Sequence, residues 1–139
     1  MKLRLLIILA ASLVTIGAGN ADSGKDKVAT CAACHGQDGN SMVGLWPSLA
    51  GQNVNYLVRQ LQHIKSGKRS IIEMTGLLDN FSTEDLEDIA AFYASQSNTI
   101  GQVSADKLEL GRKLYYAGSL DKGIPACTAC HSPKGKGNA

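Results

Sequence analysis

Cys31-Ala-Ala-Cys34-His35 returns as Cys127-Thr-Ala-Cys130-His131, and these two pentapeptides hold all four cysteines of the 139-residue chain. Cys-x-x-Cys-His is the attachment signature of a c-type haem. Two thiols on one helical turn add across the two vinyl groups of the porphyrin, and the adjacent imidazole then lies within bonding distance of the iron. One such motif is a lead; two, with no cysteine left over, make an accidental match a poor explanation. The expected cofactor is haem c, two per chain, and the expected chemistry is one-electron transfer.

Zinc and disulfides are the bland rivals for any Cys-x-x-Cys pair. Four-cysteine zinc sites usually place their pairs about 15–20 residues apart. Here Cys34 and Cys127 are separated by a whole helical unit, and zinc does not explain a histidine after both pairs. Disulfides are chemically permissible if the chain is exported, yet they leave the same histidines without a purpose.

Export is itself expected. Lys2 and Arg4 form a charged start, and Leu5 to Ile16 is an apolar run of about a dozen residues. A bilayer span takes roughly 20. Gly19-Asn20-Ala21 offers small residues to a signal peptidase, so residues 1–21 read as a signal peptide cut after Ala21, with an uncleaved membrane anchor as the alternative. Lys2 and Arg4 leave with it. The 14 basic and 12 acidic residues of the whole chain then become 12 against 12. That balance gives no case for nucleic acid, nor for steering by a field of one sign. About 118 residues remain, room for one small haem unit and part of another.

The pattern is helical throughout, and nothing alternates as a strand should. Lys25–Cys34 reads as a short helix running into the first motif. Val54, Leu57, Val58, Leu61 and Ile64 mark one face of a helix over Asn53–Ser66, ended by Gly67. Ser82 caps another, with Leu86, Ile89, Ala90 and Tyr93 as its buried face. Ser95–Val103 reads as a linker. Ser104 then caps a fourth helix to about Ala117, with Leu108, Gly111, Leu114 and Tyr115 on related faces. The domain reading is therefore 1–21 leader, 22–98 first haem domain, and 99–139 the N-terminal part of a second. The duplicated Cys31 and Cys127 stand 96 residues apart, but the second copy stops eight residues after His131. A fragment of a longer protein is the expected explanation, with a ligand from elsewhere or a five-coordinate site as the others.

Each motif histidine, His35 and His131, is a candidate proximal iron ligand. Its other ring nitrogen needs an acceptor. Pro47, twelve residues past His35, could present its carbonyl or could mark only a loop turn; spacing does not separate the two. Thioether sulfur favours reduced iron, so a methionine is the natural sixth ligand of a high-potential carrier. Met42 sits seven residues past His35 in the loop expected to stay on the proximal side. Met74 follows an intervening helix, far enough along to reach the other face, and is preferred. His63 competes but falls off the apolar stripe of its helix and reads as a solvated surface residue. No methionine or histidine follows His131, so the second haem has no sixth-ligand candidate.

With these residues in view, the chain resembles the di-haem class I cytochromes c, most closely the cytochrome c4 family. In the first unit the likeness rests on Ala29 through Ser41, Pro47-Ser-Leu-Ala-Gly-Gln52, Tyr56-Leu57, Gln60-Leu61, Gly67-Lys-Arg69, Met74, and Leu86 through Tyr93. In the second it rests on Gly111-Arg-Lys-Leu-Tyr115 and Gly123 through His131. The resemblance implies an all-α fold, one complete class I haem domain followed by the start of a second. It implies Cys31, Cys34, Cys127 and Cys130 as covalent haem anchors, His35 and Met74 as axial ligands of the first iron, His131 as proximal ligand of the second, and Pro47 as the acceptor for His35. It further implies a periplasmic carrier, soluble or membrane-associated, taking electrons from a quinol–cytochrome c reductase-like donor and passing them towards a terminal oxidase. The second domain's own methionine is absent from this sequence. The cytochrome subunit of a redox enzyme, such as a flavin-linked sulfide dehydrogenase, is the alternative reading. A haem enzyme such as a peroxidase would need an open iron, against which Met74 argues.

Overall fold

The computed structural model describes residues 19–99, 101 and 103–137. The expected leader, up to residue 18, lies outside the described residues. Six α-helices follow in order: α1 Ala21–Lys25, α2 Ala29–His35, α3 Val54–Lys65, α4 Thr83–Ser95, α5 Ala105–Ala117 and α6 Thr128–His131. Single 3-10 turns stand at Ile72–Met74 and Leu120–Lys122. Among the described residues there is no strand, only an isolated bridge between Ser119 and Ile124.

Helix α4 organises the first unit. Ser82 Oγ accepts from the Asp85 amide, and the Asp85 carboxylate accepts from the Ser82 amide, a reciprocal cap that satisfies two otherwise orphaned donors. Beyond the cap, Leu86, Ile89, Ala90 and Tyr93 are buried, the face expected from their spacing. Phe92 joins them, and Val28 and Leu57 complete the core from the other helices. Burying a side chain of this size stabilises by about 1.5–3 kcal/mol, and Leu49, Val54, Val58, Leu61 and Phe81 add partly buried surface around the core. Helix α3 packs on α4 with the predicted stripe inward, and Asn53 rather than a charged residue caps it.

The expected single helix over Lys25–Cys34 is two helices. Asp26, Lys27 and Val28 break it, because Val28 turns into the core at 2 % exposure while Lys27 reaches α4. There the Lys27 ammonium meets Asp85 at 2.6 Å and Asp88 at 2.7 Å. Helix α1 lies across α4 with Gly24 at the crossing, where a Cβ would stand 2.1 Å from the Asp88 carbonyl oxygen.

After α4 the chain remains tied to the first unit for a few residues. Asn40 donates to the Ser97 carbonyl and accepts from the Thr99 amide. In the second segment α5 holds the loop that follows the second motif. Tyr115 donates to the Ser132 carbonyl at 2.6 Å and Tyr116 to the Pro133 carbonyl at 3.1 Å. Ser104 precedes α5 as expected, but its side chain makes no capping bond. Of the α5 face expected to pack, Leu114 and Tyr115 are half-buried while Leu108 and Gly111 are exposed.

Candidate haem site

Helix α2 is short because its sequence allows one good stretch and no more. Ala29-Thr-Cys-Ala-Ala-Cys-His is rich in the best helix former, and Gly36 at φ 81° ends it. Cys31 and Cys34 therefore sit on one turn, with His35 directly after. Cys31 packs against the core cluster, and burial pushes its thiol above the usual range. A neutral buried thiol is a poor thiolate ligand for a metal ion. None of the four cysteines is in a disulfide. Among the described residues no three His, Cys, Asp or Glu side chains gather as a metal cluster, so the two cysteine pairs are not brought together.

His35 is buried at 8 % exposure, and its Nδ1 donates to the Pro47 carbonyl oxygen at 2.8 Å. A carbonyl can only accept, so Nδ1 carries a proton, and in the neutral ring the lone pair is then on Nε2. The loop that brings Pro47 back is itself closed onto its own start: the amides of Leu49 and Ala50 both donate to the Gly39 carbonyl. Ser41 Oγ further ties the loop to the Cys34 carbonyl.

Met74 ends the 3-10 turn and is half-buried, lining a hollow of about 320 Å³ with Ile64, Ile71 and Leu78. Met42 is 98 % exposed. His63 is partly exposed on α3 and does not join the core cluster, and the chain beyond α3 folds back so that the Arg69 amide bonds the His63 carbonyl. In the second motif Cys127 is half-buried, Cys130 and His131 are exposed, and α6 forms a single turn where α2 has about two. The residue after each histidine takes the same left-handed φ, Gly36 at 81° and Ser132 at 63°.

Whether haem suits these residues can be asked of the chemistry present. Two sulfurs on one turn, an imidazole with its outward nitrogen unprotonated, and a thioether elsewhere on the unit form a suitable donor set. Two polar atoms reinforce the fit. The Trp46 indole N–H is buried without a partner, and the buried Tyr93 hydroxyl has no neighbour for a hydrogen bond but the Cys31 thiol and is pushed well above the usual phenol range by burial. A buried donor without an acceptor is expensive, and the carboxylates of a haem are acceptors of the kind the indole lacks. The residues present fit the group. Periodicity marks Tyr93 only as core, and nothing in the sequence pattern sets Trp46 apart. Their single signal was that each aromatic carries a polar tip.

Comparison with known proteins agrees with this geometry. Residues 19–92 match the family model described as "Cytochrome C oxidase, cbb3-type, subunit III". Cytochrome c4 of Azotobacter vinelandii is 47 % identical over 143 residues, covering 96 % of this chain and 68 % of the relative. The thiosulfate dehydrogenase electron acceptor of Stutzerimonas stutzeri (strain A1501) is 35 % identical, over 77 % of this chain and 51 % of its own length. Among solved structures, reduced recombinant cytochrome c4 from Pseudomonas stutzeri superposes with a TM-score of 0.75 at 49 % identity, over 87 % of this chain and 68 % of that one. The chain thus spans about two thirds of the length of its cytochrome c4 relatives. Through residues 19–92 it belongs to the c-type cytochromes that the family model describes, and over nearly its whole length it belongs to the cytochrome c4 family: class I, all-helical, haem c-carrying proteins that transfer electrons and are not enzymes.

Proposed function

We propose that this protein is a periplasmic carrier that passes single electrons along a respiratory chain towards a terminal oxidase. The observation that carries the reading is the locked His35 tautomer, with Nδ1 on the Pro47 carbonyl and two cysteines on the turn just before. When bound, haem c supplies a ferrous–ferric couple and nothing else is needed of it. Cys31 and Cys34 anchor it in the first unit, taken to end at residue 98, and Cys127 and Cys130 anchor a second in 99–139. His35 Nε2 and the Met74 sulfur would hold the first iron, and His131 would hold the second. Pro47 holds the His35 ring so that the ligand does not rotate between oxidation states. The Met74 thioether favours the reduced state and sets a high potential.

A donor such as a quinol–cytochrome c reductase and an oxidase acceptor suit such a carrier. No helix among the described residues is long and apolar enough to cross a membrane. The relative named as a thiosulfate dehydrogenase electron acceptor favours one second reading, in which a dehydrogenase is the donor and the chain acts as its cytochrome subunit. The test is to mix the reduced holoprotein with membranes of the source bacterium. Cyanide-sensitive oxidation supports the oxidase direction. Oxidation indifferent to cyanide, together with co-purification of a flavoprotein, favours the second reading.

A further inference from the structure

We infer that the leader is removed between Ala18 and Gly19, three residues before the cut that the small residues Gly19-Asn20-Ala21 suggest. The inference rests on export and concerns only where processing occurs. Gly19 and Asn20 are built into the folded unit. Asn20 Oδ1 accepts from the amides of Asp22 at 2.9 Å and Ser23 at 3.1 Å, capping α1. Its carbonyl accepts from the Gly24 amide at 2.9 Å, which closes the first turn. Its own amide donates to Asp88 Oδ1 at 2.6 Å, while Lys27 holds Oδ2 at 2.7 Å. Asp88 is only 5 % exposed, so losing the Asn20 amide would leave half of a buried carboxylate without its donor. Gly19 lies so close to α4 that a Cβ there would stand 2.1 Å from the Glu87 carbonyl oxygen.

A cut after Ala21 would remove all of these contacts. Helix α1 would lose its cap and first residue and start on the new ammonium of Asp22, a positive charge at the end of the helix that disfavours it. A cut after Ala18 keeps every one of them and still offers a small residue on the leader side of the bond. The apolar run of the leader ends at Ile16, with only Gly17 and Ala18 between it and this bond.

The experiment expresses the whole chain, leader included, in a bacterium competent in cytochrome c maturation and sequences the N-terminus of the exported holoprotein. Gly19 as first residue supports the assignment; Asp22 as first residue overturns it while leaving export intact. A chain that keeps Met1 and stays in the cytoplasm overturns this assignment and the export reading together. A second arm compares Ala18→Leu with Ala21→Leu. The first should accumulate unprocessed precursor and the second should be processed at the wild-type rate. The reverse pattern refutes the site.

Discussion

Replacing Gly24 by alanine puts two opposing effects in direct competition. Alanine in place of glycine within a helix ordinarily stabilises by about 0.5–1 kcal/mol, because glycine surrenders more freedom on folding. At this crossing the new Cβ would lie 2.1 Å from the Asp88 carbonyl oxygen, 2.6 Å from its carbon and 2.9 Å from Phe92 Cβ. Ordinary contact begins near 3.4 Å. The carbonyl belongs to the α4 ladder and cannot swing away, so α1 must lift off by more than an ångström. Overpacking of this kind costs about 1–3 kcal/mol. The lift also draws the Asn20 amide away from the Asp88 carboxylate, a charged hydrogen bond contributing about 1.5–3 kcal/mol. The net expectation is a loss of about 1.5–5.5 kcal/mol, which for a unit this small lowers the melting temperature by roughly 6 °C or more. Guanidinium and thermal unfolding of the holoprotein, followed by Trp46 fluorescence and haem absorbance, measure it. Gly44→Ala is the control: nothing lies within 4 Å of its added Cβ, so it should stay within about 0.5 kcal/mol of the parent. A Gly24→Ala protein as stable as that control would refute the close crossing of α1 and α4.

Other perturbations reach other parts of the account. Met74→Ala should abolish the weak absorption band at the red end of the oxidised spectrum and lower the potential; a surviving band would turn attention to His63 or Met42. Ser132 holds φ 63° and ψ 162°, a region nearly exclusive to glycine that costs about 1–3 kcal/mol. Ser132→Gly should therefore stabilise the second motif loop by about 1 kcal/mol, read as a roughly fivefold slowing of amide exchange over residues 132–137; unchanged exchange contradicts the strain. Asp88 is held below its usual 3.8 by the Lys27 ammonium first and the Asn20 amide second. A depressed folded value means its contribution is complete above the unfolded value and fades as pH falls through the folded one. Asp88→Asn should lower stability at neutral pH and flatten its decline below about pH 4, leaving Asp85 to titrate against Lys27. An unchanged acid slope would show that the pair contributes nothing.

Much of this was readable from residues alone, for identifiable reasons. Helices α3 and α4 carry an apolar stripe at the helical period and a polar cap at the start, so local pattern and tertiary demand agree. The break between α1 and α2 was not readable. It exists because Val28 must enter the core and Lys27 must reach two carboxylates more than fifty residues away, neither of which leaves a local trace. Asp88 was passed over for the same reason: an acid on an apolar face looks solvated until its partners are known. At the site, the paired thiols and imidazole announce themselves by spacing. The Pro47 carbonyl could not be told from a simple turn, since backbone acceptors have no sequence signature.

The most direct test is the intact mass of the exported protein, taken with its pyridine haemochrome spectrum. Haem bound through both thiols of the first motif requires the mature polypeptide to carry covalent haem with a thioether-type spectrum, and Cys31→Ala with Cys34→Ala to lose one haem from that mass. Colourless protein at the bare polypeptide mass, from a host that matures other c-type cytochromes, would contradict it.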